Sequence, residues 1–123
     1  MSHKKYVKFA GRIVILGFGS IGQGSLPLIL RHIDCDPKQI TIVTAEERGH
    51  PEAEALGIKF ILKPITEQNY VEVLGPMLSA GDFLCNVSVE VSSLALMGLC
   101  HQKGALYLDT CIEPWPGGYT DAT

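Results

Sequence analysis

One segment constrains this chain more than any other: a glycine-rich turn placed between a β-branched run and a helical pattern. Arg12-Ile-Val-Ile-Leu16 runs directly into Gly17-Phe-Gly19-Ser-Ile-Gly22, a G-x-G-x-x-G. Continuous β-branched character ended by glycine reads as a strand buried on both faces. Positions 20–33 follow with apolar residues at 21, 26, 28, 29, 30 and 33, which reads as a helix. Pro27 lies inside that helix, removes an amide donor and should bend it near Gln23. A glycine-rich turn can exist without a ligand. Between a strand and a helix, however, the three glycines have separate uses: a tight turn at Gly17, close approach of a pyrophosphate to the backbone at Gly19, and close helix–strand packing at Gly22. The start of the helix, with Ser20 and Ile21, offers unpaired amides and a positive dipole end to phosphate charge.

The remainder of the chain repeats the same alternation. Strands are expected at 39–44, 58–62, 83–86 and 105–110. Helices are expected at 51–56, at 66 to about 77 with Thr66 as a cap or ending sooner at Gly75-Pro76, and at 88–103 with Ser92 or Ser88 as a cap and Gly104 as terminator. Apolar runs that do not alternate belong to strands covered by helices on both sides, and each crossover should be right-handed. The expected fold is α/β: a Rossmann-type, doubly wound parallel sheet of five strands in the order 3-2-1-4-5, in a three-layer αβα arrangement.

A length of 123 residues suits one domain, and a charged fraction of 19% with net charge −3 is ordinary for a globular chain. No basic cluster follows Lys4-Lys5, so nucleic acid is not indicated as a partner. Lysines before Ile13–Leu16 resemble the start of a signal peptide. Glycines interrupt that apolar stretch and no cleavage site follows, so a leader is not expected. No run reaches membrane-spanning length. Cys35, Cys85, Cys100 and Cys111 form no C-x-x-C pair, so no metal site is indicated and the pattern suits a reducing cytoplasm.

Ligands of open parallel sheets bind beyond the carboxyl ends of the strands. At the second strand, Thr44 is followed by Glu46, 24 residues after Gly22 and suited to ribose hydroxyls; Glu47 is an alternative by one place. Both can equally be solvated carboxylates, and Arg48 could accept a 2′-phosphate instead. NAD is favoured over NADP. Asn86 and Ser88 follow the fourth strand and could contact the ribose or nicotinamide, or Ser88 could cap the next helix. Asp109 and Thr110 close the fifth strand and join the cofactor candidates. Glu113 follows among apolar neighbours, where a carboxylate can hold a substrate amine. Trp115 could lie over that amine or simply pack on the sheet. Cys111 has no evident histidine partner and is not read as a nucleophile. His32, His50 and His101 are isolated.

Several of these runs resemble bacterial homospermidine synthases. They are Gly11-Arg-Ile-Val-Ile-Leu-Gly-Phe-Gly-Ser-Ile-Gly-Gln-Gly24, Pro27-Leu-Ile-Leu-Arg-His32, Asn86-Val-Ser-Val-Glu-Val-Ser-Ser-Leu-Ala-Leu96 and, most distinctively, Ala105-Leu-Tyr-Leu-Asp-Thr-Cys-Ile-Glu-Pro-Trp115 with Gly118-Tyr-Thr-Asp121. The resemblance extends from Phe9 onward. It implies a fold related to saccharopine dehydrogenases and bound NAD that is reduced and re-oxidised in one cycle. In that cycle putrescine, or spermidine as donor, loses an amine and its aminobutyl group passes to a second putrescine. Glu113 matches the acidic position in the family's E-P-W run. Family members are several times longer, so the resemblance implies that residues 1–123 form an N-terminal NAD(P)-binding domain without the substrate domain, inactive alone, from an enzyme that is a homodimer. An amino-acid oxidoreductase related to saccharopine dehydrogenase, and a non-catalytic nucleotide-binding module, are the two rival readings.

Overall fold

The computed structural model describes residues 7–110 and 112–117, without the side chains of Ser20 and Ile21. Lys4, Lys5, Cys111 and the run 118–121 lie outside the described residues. Among the described residues, five strands of one sheet and four α-helices alternate: β1 (Ile13–Leu16), α1 (Ser20–His32), β2 (Ile40–Thr44), α2 (His50–Ala55), β3 (Lys59–Leu62), α3 (Tyr70–Leu74), β4 (Phe83–Asn86), α4 (Ser93–Lys103) and β5 (Leu106–Asp109). All sheet neighbours are parallel, and the sheet runs β3-β2-β1-β4-β5. The result is a Rossmann-like sheet with flanking helices.

Because strand side chains alternate between faces, β1 feeds two separate cores. Val14 and Leu16 pack with Val43 and Leu84 beneath α3 and α4, whose Leu74, Leu96 and Leu99 are buried there. Ile13 and Ile15 pack with Ile40 and Ile42 beneath α1 and α2, through Leu26 and Ala53. The second face is covered less completely. Leu106 and Leu108 of β5 lie in register with Phe83 and Cys85 on it, and both are more than half exposed.

An ion pair fastens β1 to β4 at their amino ends. The buried Asp82 carboxylate accepts from the Arg12 amide at 2.7 Å, from Arg12 Nε at 2.9 Å and from the Ser79 amide at 2.8 Å. Burial pushes its pKa up, but the amides of Arg12 and Ser79 and the Arg12 guanidinium outweigh that and hold it below the ordinary value.

The elements depart from the sequence expectation in three places. A two-residue parallel pair, Val7–Lys8 with Ile33–Asp34, takes Ile33 out of the first helix. Pro27, as expected, lies inside α1, which continues to His32. Thr66 does not cap a helix reaching Met77. Asn69 instead binds the Thr66 amide and the Pro64 carbonyl, holding 64–69 in a turn, and α3 gives way to a 3-10 turn at Gly75–Met77. Likewise α4 begins at Ser93 rather than Ser88. Ser92 is the cap, its hydroxyl accepting from the Ala95 amide at 3.1 Å.

Candidate functional site

The carboxyl ends of β1, β2, β3 and β4 open onto a cavity of about 420 Å³. Its floor is the glycine-rich turn. Gly17 takes φ +85°, a left-handed conformation that favours glycine, and its amide donates to the Val43 carbonyl at 2.7 Å. A Cβ at Gly17 would lie 2.7 Å from Ser88 Cα and 2.8 Å from its amide nitrogen. The turn therefore passes directly against the backbone that follows β4. At Gly22 a Cβ would meet Phe18 Cδ1 at 3.1 Å, the Gly17 carbonyl oxygen at 3.2 Å and Val87 Cγ2 at 3.3 Å, so α1 starts pressed onto the sheet.

Gly19 is different. It is the N-cap of α1 without a side-chain cap hydrogen bond, and a Cβ there would meet nothing within 4 Å. It borders the cavity, and the first amides of the helix have no partner within it. Open space, unpaired amides and the positive end of a 13-residue helix together make a place for an anion.

On one side stand Thr44, Ala45 and Glu46, with Lys63, Pro64 and Ile65 after β3. Thr44 is buried and its hydroxyl accepts from the Glu46 amide at 3.4 Å, while Glu46, Glu47 and Arg48 are exposed. Lys63 joins this wall because its amide donates to the Thr44 carbonyl at 2.8 Å, extending the β2–β3 ladder. On the other side run residues 87–91, in which Glu90 takes φ +60°.

Asn86 lies behind that wall and is 1% exposed. Its Oδ1 accepts from the Ser88 amide at 3.1 Å and the Ser88 hydroxyl at 2.5 Å, and its Nδ2 donates to the Tyr107 hydroxyl at 3.1 Å. Tyr107 in turn donates to Asp109 at 2.9 Å. Burial, aided by the Asp109 acceptor, pushes the Tyr107 pKa up to about 12, so it stays a donor. This relay ties the end of β5 to Ser88, and Ser88 is the backbone that Gly17 touches.

Of the sequence candidates, Gly17, Gly19, Thr44, Glu46 and Ser88 border the cavity. Ser20, Ile21 and Gly22 form the helix start beneath it. Among the described lining residues, Asn86, Asp109, Thr110 and Glu113 are absent. Asn86 and Asp109 belong to the relay, Thr110 is exposed, and Glu113 is clamped through its backbone to Ser93, at 2.8 and 2.9 Å. Trp115 packs on the α3 side, its ring centroid 5.4 Å from that of Tyr70. Sequence reasoning did not single out Lys63, Pro64, Ile65 or Glu90. Their only advance signal was that each follows a predicted strand.

Comparison with known proteins follows the same lines. Residues 13–121 match the saccharopine dehydrogenase NADP binding domain family. The chain is 45% identical over 119 residues to a homospermidine synthase of Blastochloris viridis, covering 94% of this chain and 25% of that protein. It is 42% identical over 120 residues to a homospermidine synthase of Mesorhizobium japonicum, again with 25% of the relative covered. The crystal structure of the homospermidine synthase from Legionella pneumophila in complex with NAD matches with a TM-score of 0.87 and 48% identity, over 93% of this chain and 25% of that one. The chain thus spans a quarter of the length of these relatives.

Proposed function

Since the chain belongs to the saccharopine dehydrogenase NADP binding domain family, we propose that it is the dinucleotide-binding domain of a homospermidine synthase and that its ligand is NAD. The observation that carries this reading is the open cradle at Gly19. The backbone there can accept a pyrophosphate without moving, whereas Gly17 and Gly22 are closed by neighbouring atoms. The cavity residues fit the group. Amides of Gly19–Gly22 would face the pyrophosphate, Glu46 the adenosine ribose diol, and Ser88 the nicotinamide side. NAD, when bound, supplies reversible hydride exchange. The protein's own part is to hold it, exclude water and place a dicationic amine near the nicotinamide. In this reading Glu113 is the carboxylate for that amine, supplied by the segment clamped to Ser93. Putrescine is the substrate and spermidine an alternative donor, used by an enzyme whose remaining domains and second subunit complete the site.

Calorimetric titration with NAD⁺ and NADP⁺ tests the ligand. Saturable NAD⁺ binding, tighter than NADP⁺, is expected, and no binding to a folded chain would defeat the proposal. Lys63 on the cavity wall and Arg48 beside Glu46 favour a second reading, in which tighter NADP⁺ binding assigns these cations to a 2′-phosphate. Gly19→Val separates binding from folding. It should lose only about 1 kcal/mol or less, the cost of valine in place of glycine at an N-cap, because φ −79° lies outside the left-handed region and a Cβ there meets nothing within 4 Å. Its NAD⁺ affinity should nevertheless fall by about two orders of magnitude, the equivalent of roughly 3 kcal/mol. In a full-length relative, replacing the acid equivalent to Glu113 by glutamine should raise KM for putrescine about tenfold, the weight of one charge-assisted hydrogen bond, and leave NAD⁺ affinity unchanged. Equal losses of both would assign Glu113 to folding.

A further inference from the structure

A glycine outside the G-x-G-x-x-G is as tightly enclosed as any within it. Gly49 ends the loop that carries Glu46, is buried, and takes φ +83°. A Cβ there would stand 2.5 Å from Cε2 of Phe18. Phe18 occupies the variable place between the first two glycines of the turn and is 3% exposed. The ring has no room to retreat. Gly22 lies against its Cδ1 edge, and the Phe60 ring of β3 meets it edge-on with centroids 6.5 Å apart. Phe60 itself is stacked on His50, 4.4 Å between centroids, and the His50 amide donates to the Glu47 carbonyl. The Phe18 carbonyl accepts from Gln23 Nε2 at 2.9 Å, so the backbone on that side is pinned as well.

We propose that Phe18 and Gly49 are positioning residues: their contact sets the distance between the Glu46 loop and the phosphate-binding turn, and through it the preference for a ribose without a 2′-phosphate. This rests on the proposed dinucleotide reading. A carboxylate binds a ribose diol only at hydrogen-bonding distance, so a loop displaced by about 1 Å loses the diol while the turn still holds the pyrophosphate. A methyl group at position 49 must push the loop outward, since the other sides of the Phe18 ring are occupied. NADP⁺, whose 2′-phosphate gains nothing from Glu46 and can face Lys63 outside the loop, loses less by that shift.

The test is a cycle of Gly49→Ala, Phe18→Leu and the double variant, read by NAD⁺ and NADP⁺ affinity and by amide hydrogen exchange at 45–49 without ligand. Gly49→Ala should lower the NAD⁺:NADP⁺ affinity ratio about tenfold, and Phe18→Leu in that background should restore the part that comes from the clash by making room for the methyl group, while the strain of alanine at φ +83° remains. Equal losses for both dinucleotides, or losses that simply add in the double variant, overturn the proposal. If the unaltered chain binds neither dinucleotide, the functional reading fails on its own account and exchange decides the joint. Gly49→Ala should then speed exchange at 45–49 and the double variant slow it again. Should Gly49→Ala not fold, Phe18→Leu alone must still speed exchange at 45–49, and unchanged exchange there overturns the joint.

Discussion

Gly17→Ala should melt about 10 °C or more below the unaltered chain and bind no dinucleotide. Two costs fall on one methyl group. Alanine at φ +85° loses about 1–2 kcal/mol relative to glycine. The methyl group would also lie 2.7 Å from Ser88 Cα, a backbone atom that cannot swing aside, and such overpacking adds about 1–3 kcal/mol. For a chain of 123 residues, each kcal/mol lowers the melting temperature by about 4 °C. Relief requires β1 and β4 to part at their carboxyl ends, which also dismantles the cavity floor. Differential scanning calorimetry with and without NAD⁺ would check both effects. A melt within 2 or 3 °C of the unaltered chain, at about 1 kcal/mol or less, would mean that the turn is softer than its contacts indicate. Set beside Gly19→Val, the comparison separates a glycine the fold requires from one that the proposed dinucleotide requires more than the fold does.

Asp82→Ala should be comparably destabilising, by about 2–4 kcal/mol, with no direct effect on the cavity at the opposite end of the strands. The substitution leaves the amides of Arg12 and Ser79 and one side of the Arg12 guanidinium without their acceptor. Its pH signature is specific. The native pKa lies below 3.8, the ordinary value. A lowered carboxylate pKa gives stability that is complete above that ordinary value and disappears as pH falls through the native one. Stability measured against denaturant should therefore decline in acid more steeply for the unaltered chain than for Asp82→Ala. Parallel acid limbs would assign the decline to other carboxylates.

The local chemistry of the fold was legible in the sequence. Ile13–Leu16 and Ile40–Thr44 have no polar face to show water, so a parallel sheet covered on both sides followed from composition alone, and the strand–turn–helix setting gave the glycine turn its meaning. What stayed hidden was decided by partners distant in sequence or by competing local bonds. Ser88 is a good capping residue, yet Asn86 takes its hydroxyl and Ser92 caps α4 instead. Thr66 lost its expected role because the Asn69 side chain closes a turn first. The enclosure of Gly49 depends on a phenylalanine 31 positions earlier, and Lys63 reaches the cavity only because β3 pairs with β2. Neither relation leaves a periodicity to read.

The contact between Gly17 and Ser88 also bears on the order in which the molecule is made. Emerging from a ribosome, β1, α1, β2, α2 and β3 can assemble among near neighbours in sequence. The second flank of β1 must wait for β4, whose pairing joins Ile13 to Phe83, and the Arg12–Asp82 pair spans 70 positions. Until residues beyond 88 have been synthesised, the glycine-rich turn has its bond to Val43 and its packing on Gly49 but lacks the backbone that follows β4. On the proposed dinucleotide reading, nucleotide capture is thus a late event in biosynthesis, and a nascent chain that holds the dinucleotide has already joined its two halves.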